Sequence, residues 1–181
     1  MIYGPKEFAE AFRTVRGNTI QIAEEIPEQH YGYRAAPGGR SVAETLVHIA
    51  LMPRFATQVH LVERLNTLAG YDFFGMMTKQ AAEEKAPRSK AQVVEMLRTE
   101  GEKFARALES MREDALADRV QLPEGAVPPS KTRFEMLLSP KEHEMHHRAQ
   151  LMVVERMLGI TPHLTRRIEE RVAAMRQART T

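Results

Sequence analysis

The sequence predicts an all-α protein, a four-helix bundle with an additional C-terminal helix. Three observations carry this. Apolar residues recur at spacings of three and four along most of the chain, the mark of a helix with one buried face. No segment of useful length alternates apolar with polar residues at the period of two that a half-buried strand needs. The periodic segments are separated by proline, glycine and Ser/Gln or Ser/Glu start signals, giving four long elements that must bury their stripes against one another.

In the first helix Phe8, Phe12, Val15, Thr19, Ile22 and Ile26 share a face, with Pro5 in the first turn and Pro27 as the stop. The loop EQHYGYRAAPGGR follows. Ser41-Val42-Ala43-Glu44 then reads as a capping box, in which each side chain accepts from an otherwise unpaired backbone N–H. The second helix carries His48, Met52, Phe55, Val59 and Val62 on one stripe, and Pro53 is expected to kink it. From Gly70 to Arg88 the periodicity fades and the segment reads as a connection. Ser89 and Gln92 open the third helix, whose stripe is Val93, Leu97, Gly101, Phe104, Leu108 and Met111. Residues 117–130 read as a loop. The fourth helix spans about Thr132 to Leu158, with Gly159 just past its end. Pro140 either kinks it or starts a fresh helix behind Ser139, because Ser139 and Glu142 also have capping-box spacing. A last helix, about Thr165 to Arg179, has a thin stripe of Ile168, Val172 and Met175. Residues 1–160 are thus expected to form the bundle, and residues 161–181 a basic helical extension that packs along the bundle or against a dimer partner.

Composition narrows the chemistry. The 181-residue chain has no cysteine, which removes thiolate ligands, disulfides and cysteine nucleophiles, so any metal must be held by histidine and carboxylates. A net charge of +2 is far below the basic concentration of a typical nucleic-acid binder. No apolar run approaches the roughly 20 residues that span a bilayer, and MIYGPKEFAE lacks the features of a signal peptide. The expectation is a cytoplasmic protein that binds neither nucleic acid nor membrane.

The stretch EHEMHHRAQ contains a literal H-E-x-x-H, the zinc-peptidase pattern of two ligands and a general base. Its context argues against a peptidase: Gln150 and Val153 stand where the extended motif needs Gly and His, and no strands precede it to hold a peptide. The spacing itself is informative. His143 and His147, four apart on a helix, point the same way, and their stripe continues through Leu151, Val154 and Leu158 into the core. His48 lies on the core stripe of the second helix. Three imidazoles aimed at one interior match a tri-histidine site with coordination positions left open. His146 falls at the edge of the stripe, and His30, His60 and His163 are expected at the surface.

SVAETLVHIA in the second helix and HEMHHRAQLMVVERMLGI in the fourth resemble the DinB-like (DinB/YfiT) superfamily of metal-dependent bundle proteins, and YGYRAAPGGRS is similar to that family's approach to its second helix. The likeness covers about residues 5–160. It implies a four-helix bundle binding one divalent ion per chain, nickel, zinc or iron, through His48, His143 and His147, and it implies a homodimer. Its branches include S-transferases that use low-molecular-weight thiols. Where many relatives read His-Arg-Gly-Gln, this chain has His147-Arg148-Ala149-Gln150. Glu44, Glu144 and His146 are candidates to orient the ligands, and Tyr31, Tyr33, Arg34 and Arg148 to line a substrate pocket; Arg34 and Arg40, in the loop before the second helix, are placed to grip an anion. Two classes of function stay open: a metal-dependent transferase or hydrolase on a small molecule such as a thiol, and a non-catalytic bundle in which the metal is structural or sensory.

Overall fold

A computed structural model describes residues 3–179. Its principal elements are α1 (Pro5–Glu25), α2 (Val42–Leu51), α3 (Pro53–Ala56), α4 (Phe73–Glu84), α5 (Lys90–Glu109), α6 (Arg133–Met157) and α7 (His163–Gln177), with short strands β1 (Arg119–Gln121) and β2 (Ser130–Thr132). Both α1 and α2 pack against α5 and α6, so the order around the bundle is α1, α5, α2, α6. One half of the core is aliphatic, built from residues such as Ile22, Leu46, Ile49, Leu97 and Leu151. The other half is aromatic-rich, with Phe8, Phe12 and Phe104 meeting Leu108 and Leu137. No helix among the described residues is long and apolar enough to cross a membrane.

Local chemistry explains the boundaries. Ser41 and Ser89 each cap their helix as the capping-box pattern requires, with Glu44 and Gln92 returning the bond. The helix α6 uses Thr132 and Glu135 for the same purpose and runs unbroken through Pro140, so Ser139 starts nothing. It ends where Gly159 takes the left-handed φ of 78° that side chains resist. Pro53 has no N–H to bond the Ile49 carbonyl, and only Met52 separates α2 from α3. Beyond α3 the chain widens into a π-helical turn, Thr57–Val62.

Three expectations need correction. Residues 73–84 form a helix, where the fading periodicity pointed to a connection. None of its residues is buried, so it has no apolar stripe to read; Asp72 starts it by accepting from the Gly75 N–H. Residues 119–121 and 130–132 pair as an antiparallel ribbon inside the expected loop. His60 and His163, expected at the surface, are both 1% exposed. The start of the C-terminal helix meets α1 through Arg166–Glu25 and Arg167–Gln21, and further along it Ile168, Val172 and Met175 are exposed.

Candidate metal centre

The imidazoles of His48 on α2 and of His143 and His147 on α6 meet between the two helices. Their donor nitrogens all lie within 4.8 Å of one another. His143 Nε2 is 2.7 Å from His48 Nε2 and 3.0 Å from His147 Nε2. Two ligands at the usual zinc–nitrogen distance of about 2.0–2.1 Å, set at right or tetrahedral angles, stand about 3 Å apart, so the spacing suits a shared ion.

The far nitrogens settle the tautomers. His48 Nδ1 lies 2.5 Å from Glu84 Oε1, and His147 Nδ1 lies 2.8 Å from Gln150 Oε1. Both oxygens are acceptors, so each Nδ1 carries the proton and each Nε2 presents a lone pair. The His143 Nε2 can give a proton to only one of its two neighbours, which leaves at least one close contact between lone pairs. Burial, followed by the proximity of His147 and His48, pushes the His143 imidazole down to about 4, so protonation at neutral pH does not relieve the crowding. A cation at the centre does. The residues present therefore fit a divalent metal with three neutral nitrogen donors.

The surrounding shell comes partly from elements without an evident sequence signal. Glu84, on the helix read as a connection, bridges His48 and Arg40, whose Nε donates to it at 2.8 Å. A carboxylate behind a ligating histidine fixes the ring and raises its basicity. Gln150 does likewise for His147, and its amide N–H₂ in turn faces His146 Nε2 at 3.1 Å. The signal for Gln150 was its i, i+3 spacing from His147; Glu84 had none.

The other candidates are placed as follows. Glu44 faces the loop, gripped by Arg34 at 2.6 and 2.8 Å and by the Ser41 N–H, which hold its carboxyl down at about 2. Glu144 turns away from the three imidazoles and forms a buried ion pair with Arg16. The Tyr31 hydroxyl donates to the Ala23 carbonyl at 2.7 Å in the core. Arg148 is half-buried, with its Nε lacking a partner. Tyr33 and Arg40, with His147 and Gln150, line a cavity of about 480 Å³ whose walls are otherwise largely Ala, Val and Leu. Arg34 is not itself in the wall, but it donates to the carbonyl of Gly39, which is. Among the described residues the group that can hold a metal comprises the three histidines and no carboxylate.

Comparison with known proteins agrees with this architecture. An uncharacterised protein, YjoA, from Bacillus subtilis strain 168 is 27% identical over 150 residues, covering 83% of this chain and 88% of its own. The crystal structure of the B. subtilis DinB-like YjoA protein matches with a TM-score of 0.62 at 23% identity, over 86% of this chain and 94% of that one. A B. subtilis structure, YfiT, described as a probable metal-dependent hydrolase with an unusual four-helix bundle topology, matches with a TM-score of 0.67 at 14% identity over 87% and 89% of the two chains. The family model for the DinB superfamily matches residues 11–151, well over half the length, and the chain belongs to that superfamily.

Proposed function

We propose that the protein is a metal-dependent enzyme acting on a small molecule, with transfer to or from a low-molecular-weight thiol as the favoured reaction. The observation that carries this reading is the convergence of three imidazole Nε2 atoms beside a largely apolar cavity of about 480 Å³, on which His147 opens. A divalent ion held by His48, His143 and His147 supplies Lewis acidity, lowering the pKa of a coordinated thiol or water. The remaining roles belong to the chain itself. Glu84 and Gln150 hold the two outer imidazoles in the tautomer that presents Nε2 inward. Ala36, Val42 and Val154 keep the bound molecule out of bulk water. Tyr33 and Arg40 offer an O–H and a cation at the cavity wall for a polar or anionic end of the substrate. The absence of cysteine means that a thiolate nucleophile at this site would be the substrate's own.

A hydrolytic reading rests on the description of YfiT as a probable metal-dependent hydrolase. We also propose a homodimer of two bundles, supported by the exposed stripe of Ile168, Val172 and Met175 on α7. The deciding assay loads the protein with nickel, zinc or ferrous ion and presents small thiols with an electrophilic acceptor. Turnover that needs both metal and thiol, and is lost in His147→Ala, supports transfer. Ester or amide cleavage without any thiol moves the assignment to hydrolysis. Inertness in both assays at full metal loading refutes the enzymatic reading.

A further inference from the structure

The helix α4 is held differently from the four helices of the bundle. It is 12 residues long and buries none of them, so no apolar face docks it into the core. A helix of about that length is marginal in water on its own, and contacts with the bundle must keep it in place. At its N-terminal end those contacts are aromatic. The Phe73 ring lies 5.5 Å from that of Phe55 and 4.9 Å from that of Tyr71, centroid to centroid. Further along the helix lies a groove of about 430 Å³, lined from α4 by Met76, Lys79 and Gln80 and from the bundle by Phe55, Val62 and Lys103 among others.

At the C-terminal end the contacts are charged. Arg54 on α3 donates to both carboxylate oxygens of Glu83, at 2.9 and 3.1 Å, and through its other Nη to Glu100 on α5 at 2.6 Å. Arg88 donates to the Glu83 carbonyl at 2.7 Å. Glu84, the next residue, reaches Arg40 and His48. The Arg54 and Glu83 side chains are each more than a third exposed, where a single ion pair is weak. Packed rings thus fix one end of α4 and carboxylates the other, beside a groove that leaves the helix room to move. Segments with few buried apolar contacts open locally with ease. When the C-terminal end lifts, Glu84 leaves the Nδ1–H of His48. A carboxylate in that position orients a ligating imidazole and raises its basicity. Closure of α4 and the metal affinity of the triad are then linked, and linkage is reciprocal: the factor that closure adds to affinity, the bound ion adds to closure.

We propose that α4 is a hinged flap whose closure is coupled to metal binding, and that Arg54, by clamping Glu83, is a positioning residue that sets how tightly His48, His143 and His147 hold an ion. The proposal rests on the reading of the three histidines as a metal centre, and adds to it a residue that bonds to none of them. The sign of the effect separates a clamp from plain electrostatics. Arg54 is a cation, so its charge alone opposes a bound metal ion and its removal would tighten binding; removal of a clamp weakens it.

The test measures zinc affinity by chelator competition in wild type, Arg54→Met, Arg54→Lys, Glu84→Gln and the double variant Arg54→Met/Glu84→Gln. Backbone hydrogen exchange is followed alongside in the metal-free and zinc-loaded wild type. Zinc is expected to slow exchange across residues 76–84 about fivefold or more, the low end of ordinary coupling between sites, and to leave α7 unchanged. Arg54→Met is expected to weaken zinc binding by a similar factor, and Arg54→Lys to restore most of it. In the Glu84→Gln background Arg54→Met adds little further loss, because the clamp acts through Glu84. The exchange measurement needs no substitution and decides the matter even where Arg54→Met does not fold. Exchange in α4 that is indifferent to zinc, tighter binding in Arg54→Met, or additive losses in the double variant overturns the coupling while a wild type that takes up one ion per chain keeps the metal centre. A wild type that takes up no zinc overturns the metal centre itself, and the coupling falls with it.

Discussion

Two polar groups are neighbours on α6 and face different parts of the bundle. Glu144, 1% exposed, accepts from Arg16 Nε at 3.0 and 3.1 Å and from Nη2 at 3.0 Å. The remaining reach of Arg16 goes to the Leu97 carbonyl at 2.6 Å and to the Ile49 carbonyl at 3.2 Å, the oxygen that Pro53 leaves without an intrahelical donor. In that assembly α1, α2, α5 and α6 are tied by one ion pair whose strong bonding groups all have partners. His143, turned about 100° round the same helix, meets two other nitrogens of its own kind and shares at most one proton with them. The difference separates a brace from a receptor. A buried polar group whose partners close on one another holds the fold together; one whose lone pairs converge on a point is built for something that is absent from the chain itself.

The sharpest way to break the comparison is to replace each neighbour in turn. The variant His143→Ala is expected to lose metal binding altogether while the metal-free protein keeps its denaturation midpoint within a small margin. The variant Glu144→Ala should do the reverse. Stranding Arg16 as an unpaired buried charge costs about 3–5 kcal/mol, and the folded fraction still takes up one ion per chain. Elemental analysis beside urea denaturation reads both properties. Metal retained by His143→Ala, or unchanged stability in Glu144→Ala, collapses the distinction.

Glu84 sharpens it further, since it is a carboxylate that serves the receptor and not the brace. Glu84→Gln keeps the shape but weakens the acceptor behind His48. Outer partners of metal ligands typically carry a 10–100-fold share of affinity, so a loss of about that size is expected in a chelator competition, with little change in stability. An unaltered affinity would mean that the contact to His48 Nδ1 is incidental.

The same contrast decides what could be read in the sequence. The bundle was legible because α1, α2, α5 and α6 each bury a stripe, and stripes leave a period. The ligand trio was legible because His143 and His147 sit four apart on such a stripe and His48 sits on another. Glu84 was not, because α4 buries none of its residues and so leaves no periodic trace. Glu144 read as a candidate to orient a ligand because it adjoins one; its pairing with Arg16, 128 positions away, depends on how four helices pack. His60 looked peripheral because an α-helical wheel was assumed where the chain forms a π-helical turn, which rotates the residues that follow. Each missed feature departs from a regular stripe, through tertiary packing or a local change of helix type, and the legible one is a repeat along a single helix.

A smaller effect probes how tightly the brace is built. Gly101 on α5 leaves room for Arg16: a Cβ there would sit 2.8 Å from both Cγ and Nη1 of that side chain. Replacing glycine by alanine inside a helix ordinarily stabilises it by about 0.5–1 kcal/mol. Here Gly101→Ala must displace a guanidinium that is fixed at both ends, and we expect net destabilisation of about 1–2 kcal/mol by thermal or urea denaturation, typical of overpacking. A gain in stability would show that Arg16 has slack, and that the brace is looser than its bonds imply.

The smallest effect tests whether bonding partners, more than burial, are what distinguish the sites. Glu155, three turns along α6 from Glu144, is 0% exposed, yet neither of its carboxylate oxygens has a hydrogen-bond partner. Burial first, and then the nearby Glu25 carboxylate, raise it to about 7, from an ordinary value of 4.5. A group whose folded value is raised is held neutral more easily by the native state than by the unfolded chain. Its contribution is therefore fully present below about pH 4.5 and is lost as the pH rises toward 7 and beyond. Glu155→Gln removes the titration. The variant should match wild type near pH 5 and exceed it by on the order of 1 kcal/mol at pH 8, where wild type carries a buried charge with no partner. Glu144→Gln, by contrast, should be destabilised at both pH values, because it removes the carboxylate bonded to the buried Arg16 guanidinium. Urea denaturation of both variants at pH 5 and pH 8 separates the two carboxylates, and parallel behaviour of the pair would mean that burial alone sets their energetics.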